Sequence, residues 1–371
     1  MTDIHGMCTD QFTPVRDALA ATLADRDLGA SVAVYVDGEP VADLWGGYVD
    51  EARTVPWQRD TLVNVWSTTK TMTALCALIL IDRGELDPAA PVAEYWPQFA
   101  AAGKEKVQVR HLLGHTAGLP TWTEPMTVED LYDWPTATAR LAAQAPAWEP
   151  GTEAGYHALT QGYLVGEVVR RVTGRTVGAF FAEEVAGPLG ADFHIGLDAE
   201  HDHRVAPVFP PPAPDVPEPV SPSEGPGNPP LPPTTANTTA WRRAEIPAAG
   251  GHGNARSVAA VQSVLACGGT ARGVRLLSEA GCERVFEEQF LGEDRVLGVP
   301  LRYGLGYGLH SGQLPNPRSC FWGGWGGSMV LVDLDARMTV AYVMNQMIHQ
   351  GSLGDDRAFL ILAAAYEGFS A

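Results

Sequence analysis

Thirteen of the 29 prolines in this 371-residue chain fall between positions 207 and 233. Proline has no backbone N–H and its ring clashes with the preceding helical turn, so neither a helix nor a central strand can run through such a stretch. The chain is therefore divided into patterned segments before and after an irregular or polyproline-like excursion. With 45% hydrophobic and 19% charged residues, those segments can bury a sizeable core, and the length suits one large domain or two to three ordinary ones.

Before the tract, apolar residues at three- and four-residue spacing (Phe12, Val15, Leu19, Leu23) predict a helix over 12–28. Two strands joined at Asp37-Gly38 follow, over 31–36 and 41–49. A loop from Thr61 feeds a long helix whose apolar face is Met72, Leu75, Cys76, Ile79 and Leu80, with Gly84 as its stop. Residues 85–200 read as helical pieces divided by Pro and Gly, including a helical pattern over 155–173. After the tract a helix is expected over 256–267. Strands follow over 303–310, 329–332 and 338–344, with a turn at 333–337, and a last helix over 356–366. Strands at both ends around a helical middle predict an α/β (α+β) fold. One antiparallel sheet flanked by helices would come from 1–85 and 245–371, and a mainly helical domain would be inserted over 86–244.

Asp and Glu total 44 against 25 Lys and Arg, a net charge of −19. Nucleic acid and anionic membrane surfaces require clustered cations, so neither is expected as a partner. Five widely spaced cysteines (Cys8, Cys76, Cys267, Cys282, Cys320) form no C-x-x-C and no disulfide framework, which predicts buried thiols in a reducing cytoplasm. No signal peptide is expected, because residues 1–8 carry neither a basic nor an apolar run. The longest apolar stretch, 74–81, is far short of the roughly 20 residues a spanning helix needs. Only three of the cations are lysines: Lys70, and Lys104 and Lys106 in what reads as a solvated loop.

Ser67-Thr-Thr-Lys70 stands at the start of the long helix. Ser at i and Lys at i+3 share a helical face, so the amine can reach the hydroxyl. The helix N-terminus supplies an N–H and a positive field for an oxyanion, and that field with burial favours a neutral amine. With 12 serines and three lysines, chance gives about 0.1 such matches per chain. Tyr156, in Tyr156-His-Ala158, stands at a loop-to-helix junction. A phenol titrates near pH 10, so a cationic neighbour is needed for it to serve as a base, and Lys70 is the candidate. Phe321-Trp-Gly-Gly-Trp-Gly-Gly-Ser328 precedes a strong strand, and its glycines let a substrate lie against the backbone.

Together these residues resemble the serine β-lactamase and penicillin-binding-protein superfamily, and more closely its class C-like esterase branch, the family VIII carboxylesterases. The resemblance covers nearly the whole chain. Arg110-His-Leu-Leu-Gly-His-Thr-Ala-Gly-Leu-Pro120, Trp148-Glu-Pro-Gly151, Gly162-Tyr-Leu-Val-Gly-Glu167, 250–256 and Tyr303-Gly-Leu-Gly-Tyr-Gly308 are similar to that family's ordered motifs. It implies Ser67 as the acylated nucleophile, Lys70 as its proton partner and Tyr156 as the tyrosine base. It also implies Trp322-Gly323-Gly324 at the position of the lactam-recognising Lys-Thr-Gly, with the N–H groups of Ser67 and Trp325 as oxyanion hole.

Two departures from that pattern bear on the substrate. Ala158 stands where lactam-hydrolysing relatives have Asn, and Trp322 where they have Lys. Loss of that cation in an acidic protein argues against anionic substrates. The expected reaction is therefore hydrolysis of a small neutral ester through an acyl-enzyme. An acyltransferase passing the acyl group to a specific alcohol is the alternative, and a β-lactamase or D-amino-acid peptidase a weaker one. No G-x-S-x-G surrounds any serine, which argues against an α/β-hydrolase. His111, His115 and the His201-Asp-His203 run lack HExxH spacing, so no metal and no cofactor is expected; His115 reads as structural, buried under a loop. His157 and His252 are candidates for lining the cleft, although Gly-His-Gly favours a tight turn for His252. The site needs both Tyr156 and Trp322, which flank the proline tract, so 207–233 is expected to be an ordered loop at the cleft rim. Whether the chain forms a homo-oligomer is left open.

Overall fold

The computed structural model describes residues 3–211, 227–312, 314–348 and 354–370. Nine strands form one antiparallel sheet: β1 (Ile4–Cys8), β2 (Gly29–Val36), β3 (Glu39–Gly47), β4 (Phe290–Glu293), β5 (Pro300–Tyr303), β6 (Gly308–Leu309), β7 (Ser319–Gly323), β8 (Met329–Asp333) and β9 (Met338–Met344). Their spatial order is β1-β3-β2-β9-β8-β7-β6-β5-β4, so the two ends of the chain meet at the β2–β9 pair, where Val34 faces Val340. Five longer helices matter here: α1 (Thr13–Asp25), α2 (Thr69–Asp82), α3 (Thr160–Thr173), α4 (Ala255–Ala266) and α5 (Asp356–Ser370).

Opposed residues of an antiparallel pair share a face. Ser31 of β2 accepts a hydrogen bond from the Ala255 N–H, so its face meets α4. Tyr342 stands opposite Val32 and bonds Asp27 beside Arg357, so that face meets α5 and the α1 region. Covered on both sides, β2 and β9 read as apolar runs rather than alternating ones. Helix α2 is buried on every side from Thr69 to Ile81, as expected of a helix that is apolar all round. It carries Lys70 into the interior, directly after the turn that holds Ser67.

The stretch expected as one strand over 303–310 is two short antiparallel strands, β5 and β6, with Tyr303 paired to Gly308. The turn between them closes through Gly304 N–H to Tyr307 O (2.9 Å), and Gly306 takes a left-handed φ of 86° that a strand cannot hold. The helical pattern over 155–173 begins only at Thr160, and the first helix covers Thr13–Asp25. The last helix runs on to Ser370. Strand β1 on the sheet edge had no clear signal. Residues 212–226 of the proline tract lie outside the described residues. Its flanks are anchored: Phe209 exchanges backbone bonds with Asn345 and Met347, and Asn228 bonds the 122–126 segment. Among the described residues no helix is long and apolar enough to cross a membrane.

Lys104 does not stand in a solvated loop. It is buried, and its Nζ donates to the carbonyls of Ala101 (2.8 Å), Ala142 (3.0 Å) and Gln144. The last two close the helix Trp134–Ala143, where free carbonyls attract a cation. Lys106 is exposed.

Candidate active site

Ser67 lies in a short 3-10 turn, Trp66–Thr68, that leads directly into α2. Trp66 takes a φ of 47°, a left-handed conformation costly for a bulky residue and typical of constrained sites. It is held by packing between Trp241 (5.6 Å between ring centroids) and Trp325 (5.0 Å). Thr69 Oγ1 donates to the Trp66 carbonyl (2.6 Å) and accepts from the Gly251 N–H (2.9 Å), fixing the turn to the strand 251–253.

Lys70 sits one turn on, with Nζ 3.1 Å from Ser67 Oγ. Its other contacts are the carbonyls of Ala158 (2.7 Å) and Ala248 (3.1 Å), and among the described residues it makes no ion pair. Burial with no carboxylate partner holds its pKa well below the usual lysine value. Tyr156 places its hydroxyl 2.6 Å from Ser67 Oγ, and the Lys70 ammonium position is 4.7 Å from its ring centroid. Here the electrostatics run opposite to the sequence expectation. Burial pushes the Tyr156 phenol up to about 12, so the lysine does not make it an anion. Ser67, Lys70 and Tyr156, 89 positions apart at the extremes, thus meet at one oxygen.

The glycine-rich segment packs against the turn that carries Ser67. Gly324 lies so close to the Ser67 turn that an added Cβ would stand 2.3 Å from Val65 O and 3.3 Å from Ser67 N. Ser328 Oγ donates to Val65 O (2.8 Å) and pairs with Thr68 Oγ1 (2.9 Å), locking the segment in place. Residues 324–327 form a tight turn closed by Gly327 N–H to Gly324 O (3.1 Å), with Gly326 at a φ of 88°. The Trp325 N–H has no protein acceptor among the described residues, and its side chain is half-buried. Gly323 ends β7.

Trp322 turns its side chain away from solvent into a cluster with Tyr156, Tyr303 and Ala154, and stacks on His115 (5.5 Å, 16°). His115 is buried as expected, but against the site's own tyrosine. His157 does not line the cleft. It is fully buried, Nε2 accepts from the Leu119 N–H (3.0 Å), and Nδ1–H donates to Gly155 O (2.6 Å). His252 is not in a turn; it is the buried centre of the strand Gly251–Gly253, paired with Asn64 and His194. Sequence reasoning missed the two carbonyls that hold Lys70, and it missed Asp294 and Tyr303, which are 2.8 Å apart beneath Tyr156. The family motif contained Tyr303; nothing local distinguishes Asp294 from other hairpin aspartates.

A helix-borne Ser-x-x-Lys pair facing a tyrosine, beside an antiparallel sheet flanked by helices, defines the β-lactamase-like class of folds. The chain belongs to the beta-lactamase family, whose model matches residues 15–365. It is 43% identical to a family VIII carboxylesterase of known structure, with a TM-score of 0.92 and coverage of 99% of this chain and 100% of that one. A penicillin-binding-protein homologue from Caulobacter crescentus is 37% identical, with a TM-score of 0.90 over 99% and 100% of the two chains. The esterase/beta-lactamase LipL of Mycobacterium tuberculosis is 35% identical over 393 aligned positions, covering 96% of this chain and 86% of LipL.

Proposed function

We propose that the protein is a carboxylesterase that hydrolyses small neutral esters through an acyl-enzyme on Ser67. The observation that carries this reading is the meeting of Lys70 Nζ (3.1 Å) and Tyr156 Oη (2.6 Å) on Ser67 Oγ. With the amine neutral and the phenol protonated, Lys70 is the base. It takes the Ser67 proton as Oγ forms a bond to the ester carbonyl carbon. The carbonyl oxygen becomes an oxyanion beside the N–H groups of Ser67 and Trp325. Collapse breaks the C–O bond, and the alkoxide leaves as an alcohol with a proton from the Lys70–Tyr156 pair. Water then attacks the acyl carbon, gives its proton to the same pair, and the released Ser67 Oγ is reprotonated.

Neutral esters are favoured over lactams because Trp322 supplies no cation for a substrate carboxylate, and Ala158 no side-chain amide. A solved structure 43% identical to this chain is likewise a family VIII carboxylesterase. Five cysteines without disulfides fit a reducing compartment.

Intact-mass trapping with a panel of nitrophenyl esters tests the reading. The expected result is an acyl adduct in the wild type, none in Ser67→Ala, and turnover lost in that variant. Retained turnover in Ser67→Ala overturns it. Chasing the adduct with alcohols separates hydrolysis from acyl transfer: discharge to an alcohol but not to water would replace the esterase by a transferase. Penicillin turnover matching that of the ester would refute the substrate class.

A further inference from the structure

Asp294 is fully buried and, among the described residues, forms no ion pair. Removing an unpaired carboxylate from water costs several kcal/mol, so the fold must supply compensating hydrogen bonds. Four are present. Oδ1 accepts from the N–H groups of Val296 (2.9 Å), Leu297 (2.8 Å) and Tyr156 (3.0 Å), and Oδ2 accepts from the Tyr303 hydroxyl (2.8 Å). The first two belong to the hairpin that joins β4 to β5 and would suffice for an ordinary surface turn. The other two reach beyond the turn, to the far end of β5 and to the Tyr156 segment.

Those two bonds converge on one side chain. The first holds the peptide from which Tyr156 projects, reinforced by Arg295 N–H to Ala154 O (2.9 Å). The second fixes Tyr303, whose ring packs on His115 (4.9 Å) and Trp322 (5.9 Å). These two rings in turn pack on Tyr156, at 5.3 and 5.6 Å. Asp294 therefore grips Tyr156 by its backbone and by the cage around its ring. We propose that Asp294 is a positioning residue that sets the Tyr156 hydroxyl against Ser67 Oγ. The proposal rests on the reading of Tyr156 as a proton-transfer group.

A displacement of about 1 Å at a reacting group can cost about 100-fold in rate. Asp294→Ala is expected to lower kcat for a nitrophenyl ester by about 10- to 100-fold per phosphonate-titrated site, with KM within about threefold. Asn has the shape and an oxygen for the Tyr156 N–H, so Asp294→Asn should recover kcat to within about tenfold of wild type. Because the effect acts through one hydroxyl, Asp294→Ala on a Tyr156→Phe background should lose less than about threefold more. Equal proportional losses on both backgrounds, or an unchanged kcat in Asp294→Ala, overturn the proposal while leaving the Tyr156 reading intact. Full activity in Tyr156→Phe alone removes that reading, and this proposal with it. If Asp294→Ala does not fold, Tyr303→Phe takes its place in the cycle: a loss of at least about threefold that vanishes on the Tyr156→Phe background is expected, and no loss overturns it.

Discussion

Arg357 donates from Nη2 to the carbonyl of Gly326 at 2.6 Å, tying the start of the last helix to the glycine turn beside Ser67. The same guanidinium reaches Asp355 Oδ2 (2.6 Å), Asp27 Oδ1 (2.7 Å) and the Gln346 carbonyl (2.9 Å), and all three charged side chains are fully buried. The turn packs against this cluster so closely that a Cβ on Gly327 would stand 2.4 Å from Arg357 Nη2. Segments near both ends of the chain and the glycine turn therefore share one charge cluster.

Replacing Arg357 by Met leaves Asp27 and Asp355 buried without their cation. Breaking a buried pair from one side costs about 3–5 kcal/mol. Urea unfolding should show a lower midpoint for Arg357→Met with an unchanged slope. A loss under about 1 kcal/mol would mean that the carboxylates find water or protons instead.

Lys104 offers a cleaner test of a buried cation, because its partners are carbonyls. Lys104→Met strands the Ala142 and Gln144 carbonyls at the end of the helix Trp134–Ala143, at about 1–3 kcal/mol. The exposed neighbour serves as control: Lys106→Met should change stability by less than about 0.5 kcal/mol. Equal urea midpoints for the two variants would contradict the role given to Lys104.

What the residue patterns alone disclosed was mostly local, and the pairing of Tyr156 with Ser67 across 89 positions came through the family resemblance. Ser67 and Lys70 are three residues apart on a helix, so their meeting follows from helical geometry alone. The strands 329–333 and 338–344 declared themselves because an apolar run, a polar turn and a second apolar run are adjacent. The rest depends on partners far along the chain. Lys104 looks solvated beside Glu105 and Lys106, yet two of the three carbonyls that hold it lie 38 and 40 positions away. Asp294 meets Tyr156 across 138 positions. The glycines of 303–308 were compatible with a strand or a turn, and the β5–β6 pairing decided it. The directions of the Lys70 and Tyr156 shifts were also unreadable in part, since burial rather than charge sets both.

Buried histidines should make the protein acid-sensitive. Burial lowers His157 to about 4 and His252 to about 3, and holds His115 well below its ordinary value. An unfolded histidine titrates near 6.5. Between about pH 6.5 and 4 the unfolded chain therefore binds protons that the folded one does not, and stability falls as pH falls through that window. Each fully buried histidine contributes up to about 1.4 kcal/mol per pH unit there. His252, whose Nε2 has no partner, is the residue to change. Urea unfolding from pH 7 to 5 should fall less steeply for His252→Asn than for wild type, and parallel curves would count against a neutral His252.

The proton-transfer roles proposed for Lys70 and Tyr156 predict a distinctive pH profile. Only the neutral amine of Lys70 can accept the Ser67 proton, so kcat/KM should rise with pH through the depressed Lys70 pKa and level off well below 10.5. Tyr156, pushed up to about 12, stays protonated across the working range and adds no alkaline limb below about pH 11. Tyr156→Phe should lose about 10²–10⁴ in kcat/KM while its acid limb stays within about half a pH unit of wild type. Lys70→Ala should lose a similar factor, and the limb as well. Measuring kcat/KM for a short-chain nitrophenyl ester from pH 5 to 10 separates the two groups. An acid limb that survives in Lys70→Ala but disappears in Tyr156→Phe would exchange their roles and make the phenol the base.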